Sequence, residues 1–259
     1  MPTLSTEGPT LRYKLSGESG RPTVAFVPEL GFGPWMWSWQ EPALSGRYRT
    51  LVYATRGTNG SGRNGPYTLD RFVADLEAIL SDAGIRRVHL VGAGLGAVVA
   101  LRYVREHGRA RSLSLFGAAK SGGEIDAERL SELHPSNPEL FRASLSVAFT
   151  DRFLSETRLV DQIVEWRRGE DATGESLSGH LRAMLDFEAE PLYELSVPTA
   201  VYHGADDPVV PVEAGQKLAS ELPRGRFEPV EGKRCCYIEH ATAVTDAIDG
   251  FIERVEAGE

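Results

Sequence analysis

The residues from Val88 to Ala100, VHLVGAGLGAVVA, restrict the architecture more than any other stretch of this 259-residue chain. An apolar run leads into a turn carrying Gly92, Gly94 and Gly96. Leu95, Val98, Val99, Leu101 and Val104 then fall at helical spacing, which predicts strand, sharp turn and helix in direct succession. Glycines two residues apart at such a junction let strand and helix approach closely and let the chain reverse through angles closed to other residues. The expected setting is a mostly parallel sheet with helices on both faces.

Two uses of such a turn compete. Gly92-x-Gly94-x-x-Ala97 fits the dinucleotide fingerprint, which requires an acid about 20 residues on, at the end of the next strand, to hold a ribose. That strand, Ser112 to Phe116, runs on into Gly117-Ala118-Ala119-Lys120 with no acid before Glu124, and three strands are expected ahead of the turn. Nicotinamide and flavin are therefore disfavoured, and no cofactor is expected. The other use is the nucleophile elbow, Gly-x-Ser-x-Gly, which lifts a serine above the sheet. Here the turn is Gly92-Ala93-Gly94-Leu95-Gly96: the outer glycines are present, and Gly94 stands where the nucleophile would be.

A chain of this length with 41% hydrophobic residues can bury a full core as one domain with an insertion. No apolar run approaches the roughly 18 residues a membrane span needs, and no charged-then-apolar leader opens the chain. A soluble, cytoplasmic protein without a membrane partner is the expectation, and the Asn59-Gly60-Ser61 sequon then reads only as a turn. The net charge of −9 disfavours nucleic acid. Adjacent Cys235 and Cys236 offer neither a long-range disulfide nor zinc spacing, so no metal is expected.

Further segments follow in order. Thr10 to Leu15, Thr23 to Pro28 and Thr50 to Ala54 read as strands. After the second comes Pro28-Glu29-Leu30-Gly31-Phe32-Gly33-Pro34-Trp35-Met36-Trp37, and after the third Arg56-Gly57-Thr58-Asn59-Gly60-Ser61. Thr68 can cap a helix whose inner face is Leu69, Phe72, Val73, Leu76, Ile79 and Leu80. From 120 to 195 the apolar residues keep helical spacing. The sheet resumes at Val197 to Gly204, followed by Ala205-Asp206-Asp207-Pro208-Val209-Val210-Pro211. The last strand, Arg226 to Val230, leads into Glu231-Gly232-Lys233-Arg234-Cys235-Cys236-Tyr237-Ile238-Glu239-His240 and a closing helix.

In these motifs and their order, the stretch from Leu11 to Val255 resembles the α/β-hydrolase superfamily, in its small esterase and enol-lactonase branch. The resemblance implies an α/β-hydrolase fold, a mostly parallel sheet of about eight strands with helices on both faces, whose core is residues 1–119 and 196–259 with a helical cap from 120 to 195. It also implies an oxyanion hole from the backbone N–H groups of Leu30 and Leu95, and triad positions at Gly94, Asp207 and Arg234. In the family the loop after the second strand begins His-Gly, where this chain has Pro28-Glu29. A histidine normally stands at Arg234, with Cys235 one residue off.

Glu29 conflicts with the implied hole. A carboxylate about 5 Å from a developing oxyanion would repel it by about 3 kcal/mol at an effective dielectric of 20, so Glu29 is expected to face solvent or pair with an arginine. Arg234 is expected to reach toward Asp207 as a bidentate pair, and a small void is expected above Gly94. Trp35, Trp37 and Trp39 cannot all share one helical face, which favours packing over a stacking platform. Trp35, Glu29, His180 and Cys235 complete the candidate pocket.

A serine hydrolase needs a nucleophile with a base in reach; Gly94 supplies none, and a guanidinium stays protonated. The leading reading is a non-hydrolytic protein that binds a small molecule, apolar or acyl, in the capped pocket. A lyase, cyclase or isomerase using the two N–H groups is an alternative. So is a lactone or ester hydrolase of unconventional mechanism, working through a carboxylate or Cys235.

Overall fold

The computed structural model describes residues 3–5, 9–189 and 191–258. Eight strands are present among them: β1 (Thr3–Ser5), β2 (Thr10–Ser16), β3 (Thr23–Val27), β4 (Arg49–Ala54), β5 (Val88–Ala93), β6 (Ala110–Phe116), β7 (Thr199–Gly204) and β8 (Gly225–Val230). They form one sheet in the order β1-β2-β4-β3-β5-β6-β7-β8. β1, β2 and β4 pair antiparallel in turn, and every pairing from β4 through β8 is parallel. The sequence reading missed β1. It placed the other strands to within a few residues.

The chemistry of each strand follows its depth. TVAFV in β3 and VHLVGA in β5 are buried on both faces, as central parallel strands must be. At the edge, β8 alternates between half-buried and exposed positions. Helices α1 (Gln40–Leu44), α2 (Leu69–Asp82) and α3 (Leu95–Glu106) connect the first strands. Thr68 does precede α2, but its side chain makes no capping bond. α3 is buried almost all round because it starts directly from the central strand. The register of the parallel strands aligns Val27 with Gly92 and Ala93 with Phe116, so the loops after β3, β5 and β6 emerge together at one edge of the sheet. Crevices at the carboxyl ends of such strands are where these sheets hold ligands.

Between β6 and β7 the chain is helical: α4 (Ala127–Leu133), α5 (Phe141–Ala148), α6 (Asp151–Leu154), α7 (Thr157–Glu170) and α8 (Gly174–Leu185). Phe141, Leu145, Ile163, Leu177 and Met184 from the expected apolar pattern are buried, whereas Leu140 is half exposed. This segment packs over the β3 loop. Arg167 of α7 lies over the ring of Phe32, and His134 packs against the same ring, tilted by 53° with centroids 4.8 Å apart. α9 (Val212–Glu221), α10 (Cys236–Glu239) and α11 (Ala241–Ala257) complete the fold. Among the described residues, no helix is long and apolar enough to cross a membrane.

Candidate active site

Gly94, between β5 and α3, has φ 46° and ψ −111°. That is a positive-φ conformation glycine adopts at little cost and other residues only under strain. Gly96 is needed for a different reason: a Cβ there would run into the carbonyl oxygens of Val27 and Pro28, where α3 meets β3. The turn therefore has elbow geometry, with no side chain at its tip.

The expected void above Gly94 does not exist, because the Glu29 carboxylate fills it. A Cβ built on Gly94 would overlap Oε1, Cδ and Oε2 of Glu29. Glu29 Oε1 accepts hydrogen bonds from the backbone N–H of Leu30 at 2.8 Å and of Leu95 at 3.1 Å. The two N–H groups anticipated as an oxyanion hole thus converge on one point, and an anion from the chain itself occupies it. That anion also sits at the N-terminus of α3, where the helix dipole favours negative charge.

Arg234 supplies the arginine expected for Glu29. Its Nε donates to Glu29 Oε2 at 3.0 Å, and Nη2 lies 2.8 Å from the same oxygen but out of line for a hydrogen bond, so that contact is ionic. Nη1 donates to the Gly117 carbonyl at 2.8 Å and to Asp207 Oδ2 at 3.1 Å. The anticipated bidentate pair with Asp207 is corrected here: Asp207 receives one bond, and the two-nitrogen contact goes to Glu29. The guanidinium divides in this way because it lies between two carboxylates and one carbonyl. Asp207 Oδ1 is held by the N–H groups of Val209 (2.8 Å) and Val210 (3.2 Å).

Glu29 and Arg234 are each about 1% exposed and Asp207 is 7% exposed, so three charges lie inside the protein. Such charges survive burial only when paired and hydrogen-bonded. Burial works against the guanidinium's proton, but the carboxylates of Glu29 and Asp207 more than reverse this and hold its pKa above the ordinary arginine value. Arg234 therefore has no capacity as a base.

The other candidates are held in place by packing. Trp35 stacks near Trp166 and donates its indole N–H to Asp171 Oδ1 at 2.8 Å. His180 Nδ1 accepts from the Gly31 N–H at 3.2 Å while Nε2 donates to the Arg56 carbonyl at 2.8 Å. These partners fix a neutral tautomer, and burial lowers the His180 pKa to about 4. The Cys235 thiol is fully buried beside the Tyr237 hydroxyl, and burial pushes its pKa up to about 12, far from a reactive thiolate. His203 donates to the Val210 carbonyl at 2.8 Å, and its Nε2 lies 3.7 Å from Asp207.

Sequence reasoning missed two contributors. Gly117 offers its carbonyl to Arg234 from a turn at φ 54°. Asp171 is the other: Oδ2 accepts from Arg167 Nε at 2.8 Å, and Oδ1 accepts from the Gly33 N–H at 3.1 Å, tying α7 to the β3 loop. The i,i+4 spacing of Arg167 and Asp171 was a visible signal for that pair. Among the described residues, no group of three or more His, Cys, Asp or Glu could hold a metal ion.

Comparison with known proteins identifies the family to which this fold belongs. The model of the alpha/beta hydrolase family matches residues 24–247. The chain is 25% identical to 3-oxoadipate enol-lactonase 1 of Acinetobacter baylyi, over 96% of each chain. It is 30% identical to the non-heme chloroperoxidase CPO-A1 of Kitasatospora aureofaciens, over 90% of this chain and 91% of the other. The crystal structure of the enol-lactonase from Burkholderia xenovorans superposes with a TM-score of 0.88 at 23% identity, covering 97% of this chain and all of that one.

Proposed function

We propose that this chain, which belongs to the α/β-hydrolase family, is a non-hydrolytic member that works by binding a small molecule rather than by turning one over. The observation that carries the reading is the Glu29 carboxylate lying on the Leu30 and Leu95 N–H groups, in the space above Gly94. A tetrahedral intermediate needs those donors vacant. Glu29 is also a poor nucleophile or base here: Oε1 already accepts two N–H bonds and Oε2 faces the Arg234 guanidinium. The two N–H groups do remain aimed at a common point, which is the one feature favouring an enzyme of lyase, cyclase or isomerase type. The buried carboxylate weighs against it equally.

With the triad region filled, we assign ligand binding to the cleft of about 590 Å³ between the 65–70 segment and the end of α8, a volume ordinary for small-molecule sites. Tyr67, Leu69 and Phe187 give it apolar walls suited to an acyl chain; its lining also carries Asp70, Glu175, Asp186 and Glu188, so a carboxylate on that chain would have to be met by Arg182 or Arg102. The 120–195 segment serves as the cap in this reading.

The test is direct. Purified protein should show no labelling by a fluorophosphonate and no turnover of p-nitrophenyl acetate above a heat-denatured control. Hexanoate should raise its melting temperature, and Arg182→Ala should remove that rise. Turnover that survives Glu29→Gln and Asp207→Asn, or a hexanoate shift unchanged in Arg182→Ala, would overturn the respective half of the proposal.

A further inference from the structure

At the amino-terminal edge of the sheet, opposite the loops that carry Glu29 and Gly94, lies a cavity of about 220 Å³. Strands of five and six residues separate the two places, roughly 15–20 Å at about 3.3 Å per residue. Arg21 and Thr23 line it at the start of β3, Arg87 just before β5, His89 on β5, Arg111 on β6, and Glu256 near the end of α11.

We infer that this cavity is a binding site for a phosphate group, held by Arg21, Arg87 and Arg111 with the His89 N–H as a fourth donor. Acceptors are scarce there. His89 is 2% exposed, and its Nδ1 lies 2.8 Å from the Ser112 hydroxyl. Its Nε2 lies 3.3 Å from Glu256 Oε1, and Arg111 Nε lies 3.5 Å from that same oxygen. Both distances exceed the 2.7–3.2 Å of a good N–H···O bond. Arg21 Nε reaches only Glu18, also at 3.5 Å, and Arg87 has no ion pair or side-chain hydrogen bond among the described residues. Three arginines and one buried imidazole N–H therefore line a cavity in which Glu256 is the one lining acid, with Glu18 reaching Arg21 from outside it, both at 3.3–3.5 Å.

A phosphate matches that deficit. It brings close to two negative charges and three strong acceptor oxygens, and planar guanidinium forks recognise it through paired bonds. Size limits the ligand as well. The cavity is smaller than the roughly 300 Å³ at which drug-sized ligand sites begin, and equals about seven water volumes, room for a phosphate with a small substituent. Ser112 can donate its hydroxyl proton to His89 Nδ1, which leaves the Nε2 proton directed at Glu256 and the cavity.

Calorimetric titration of the intact protein at low ionic strength tests the inference, with inorganic phosphate and glycerol phosphate as separate probes and acetate at matched ionic strength as control. Both phosphates should bind at millimolar concentration or tighter, and acetate should not. R87A/R111A should weaken phosphate at least tenfold, the distant control R63A less than twofold, and E256Q should tighten it at least twofold by removing the competing carboxylate. Tighter glycerol phosphate would identify a phosphate monoester as the ligand, and tighter inorganic phosphate the free ion; either supports the site. Binding no stronger than acetate, R87A/R111A within twofold of the parent while melting at the same temperature, or no response to E256Q would overturn it.

Discussion

Gly94→Ala should be among the most destabilising single-methyl additions in the molecule, and Glu29 should account for most of its cost. The added Cβ falls within the Glu29 carboxylate, which four contacts hold: the N–H groups of Leu30 and Leu95, and Nε and Nη2 of Arg234. Displacing it breaks a buried ion pair, worth about 4 kcal/mol, and alanine at φ 46° adds about 1 kcal/mol of strain. The single substitution should therefore cost about 5 kcal/mol, or roughly 10–20 °C in melting temperature for a domain of this size.

Glu29→Ala alone removes the same pair and should cost about 4 kcal/mol. The overlap exists only while the carboxylate is present. The double variant should thus lose about 5 kcal/mol, where independent sites would lose about 9, a coupling of about 4 kcal/mol. Equilibrium unfolding in urea of the four proteins closes the cycle. Losses that add to within about 0.5 kcal/mol would refute the claim that Glu29 fills the space above Gly94.

Two further outcomes follow from the same buried charges and rings. Arg234→Ala leaves Glu29 and Asp207 buried without their cation and should cost about 3–5 kcal/mol by thermal unfolding; a loss below about 0.5 kcal/mol would mean the side chain lies in solvent. His180 has a folded-state pKa of about 4 against an ordinary 6.5, so the unfolded chain binds the extra proton and stability is lost as pH falls from 6.5 toward 4. The loss from this residue is roughly 3 kcal/mol, and urea unfolding of His180→Gln at pH 7, 5.5 and 4.5 should show a shallower decline than the parent; parallel declines would refute it.

The fold was legible because periodicity and turn chemistry are local. The Val88–Ala100 stretch, the apolar face of α2 and the closing helix each carry their own signal. The site was legible only in part. Gly94, Asp207 and Arg234 follow from loop position along the chain, but the direction of a side chain does not. Glu29 and Arg234 are separated by 205 positions, and no pattern at either end states that they meet. Asp207 was matched with Arg234 because the family's triad pairs those positions, and that expectation hid the carboxylate on the other side. Read together, the departures carry a clue. Volume is lost at Gly94 and gained at Glu29, while a negative charge at 29 is matched by a positive one at 234. Substitutions that balance in both volume and charge are what a close-packed, low-dielectric interior requires.

If the three departures form one compensated set, restoring catalytic residues should work only when all three are addressed. Gly94→Ser with Arg234→His returns a nucleophile and an imidazole, and Asp207 Oδ2 remains available to orient that imidazole. Glu29 would still occupy the Leu30 and Leu95 donors and overlap the serine Cβ, now without the cation that neutralises it. The double variant should therefore be poorly folded and inactive toward p-nitrophenyl acetate. Adding Glu29→Gly removes both the overlap and the competing anion and frees the N–H pair. A single missing oxyanion donor costs about a hundred- to a thousandfold in turnover elsewhere, so freeing both should separate the triple variant from the double by at least a hundredfold. Equal rates in the two, with both proteins folded by circular dichroism, would show that Glu29 neither blocks the hole nor belongs to the set.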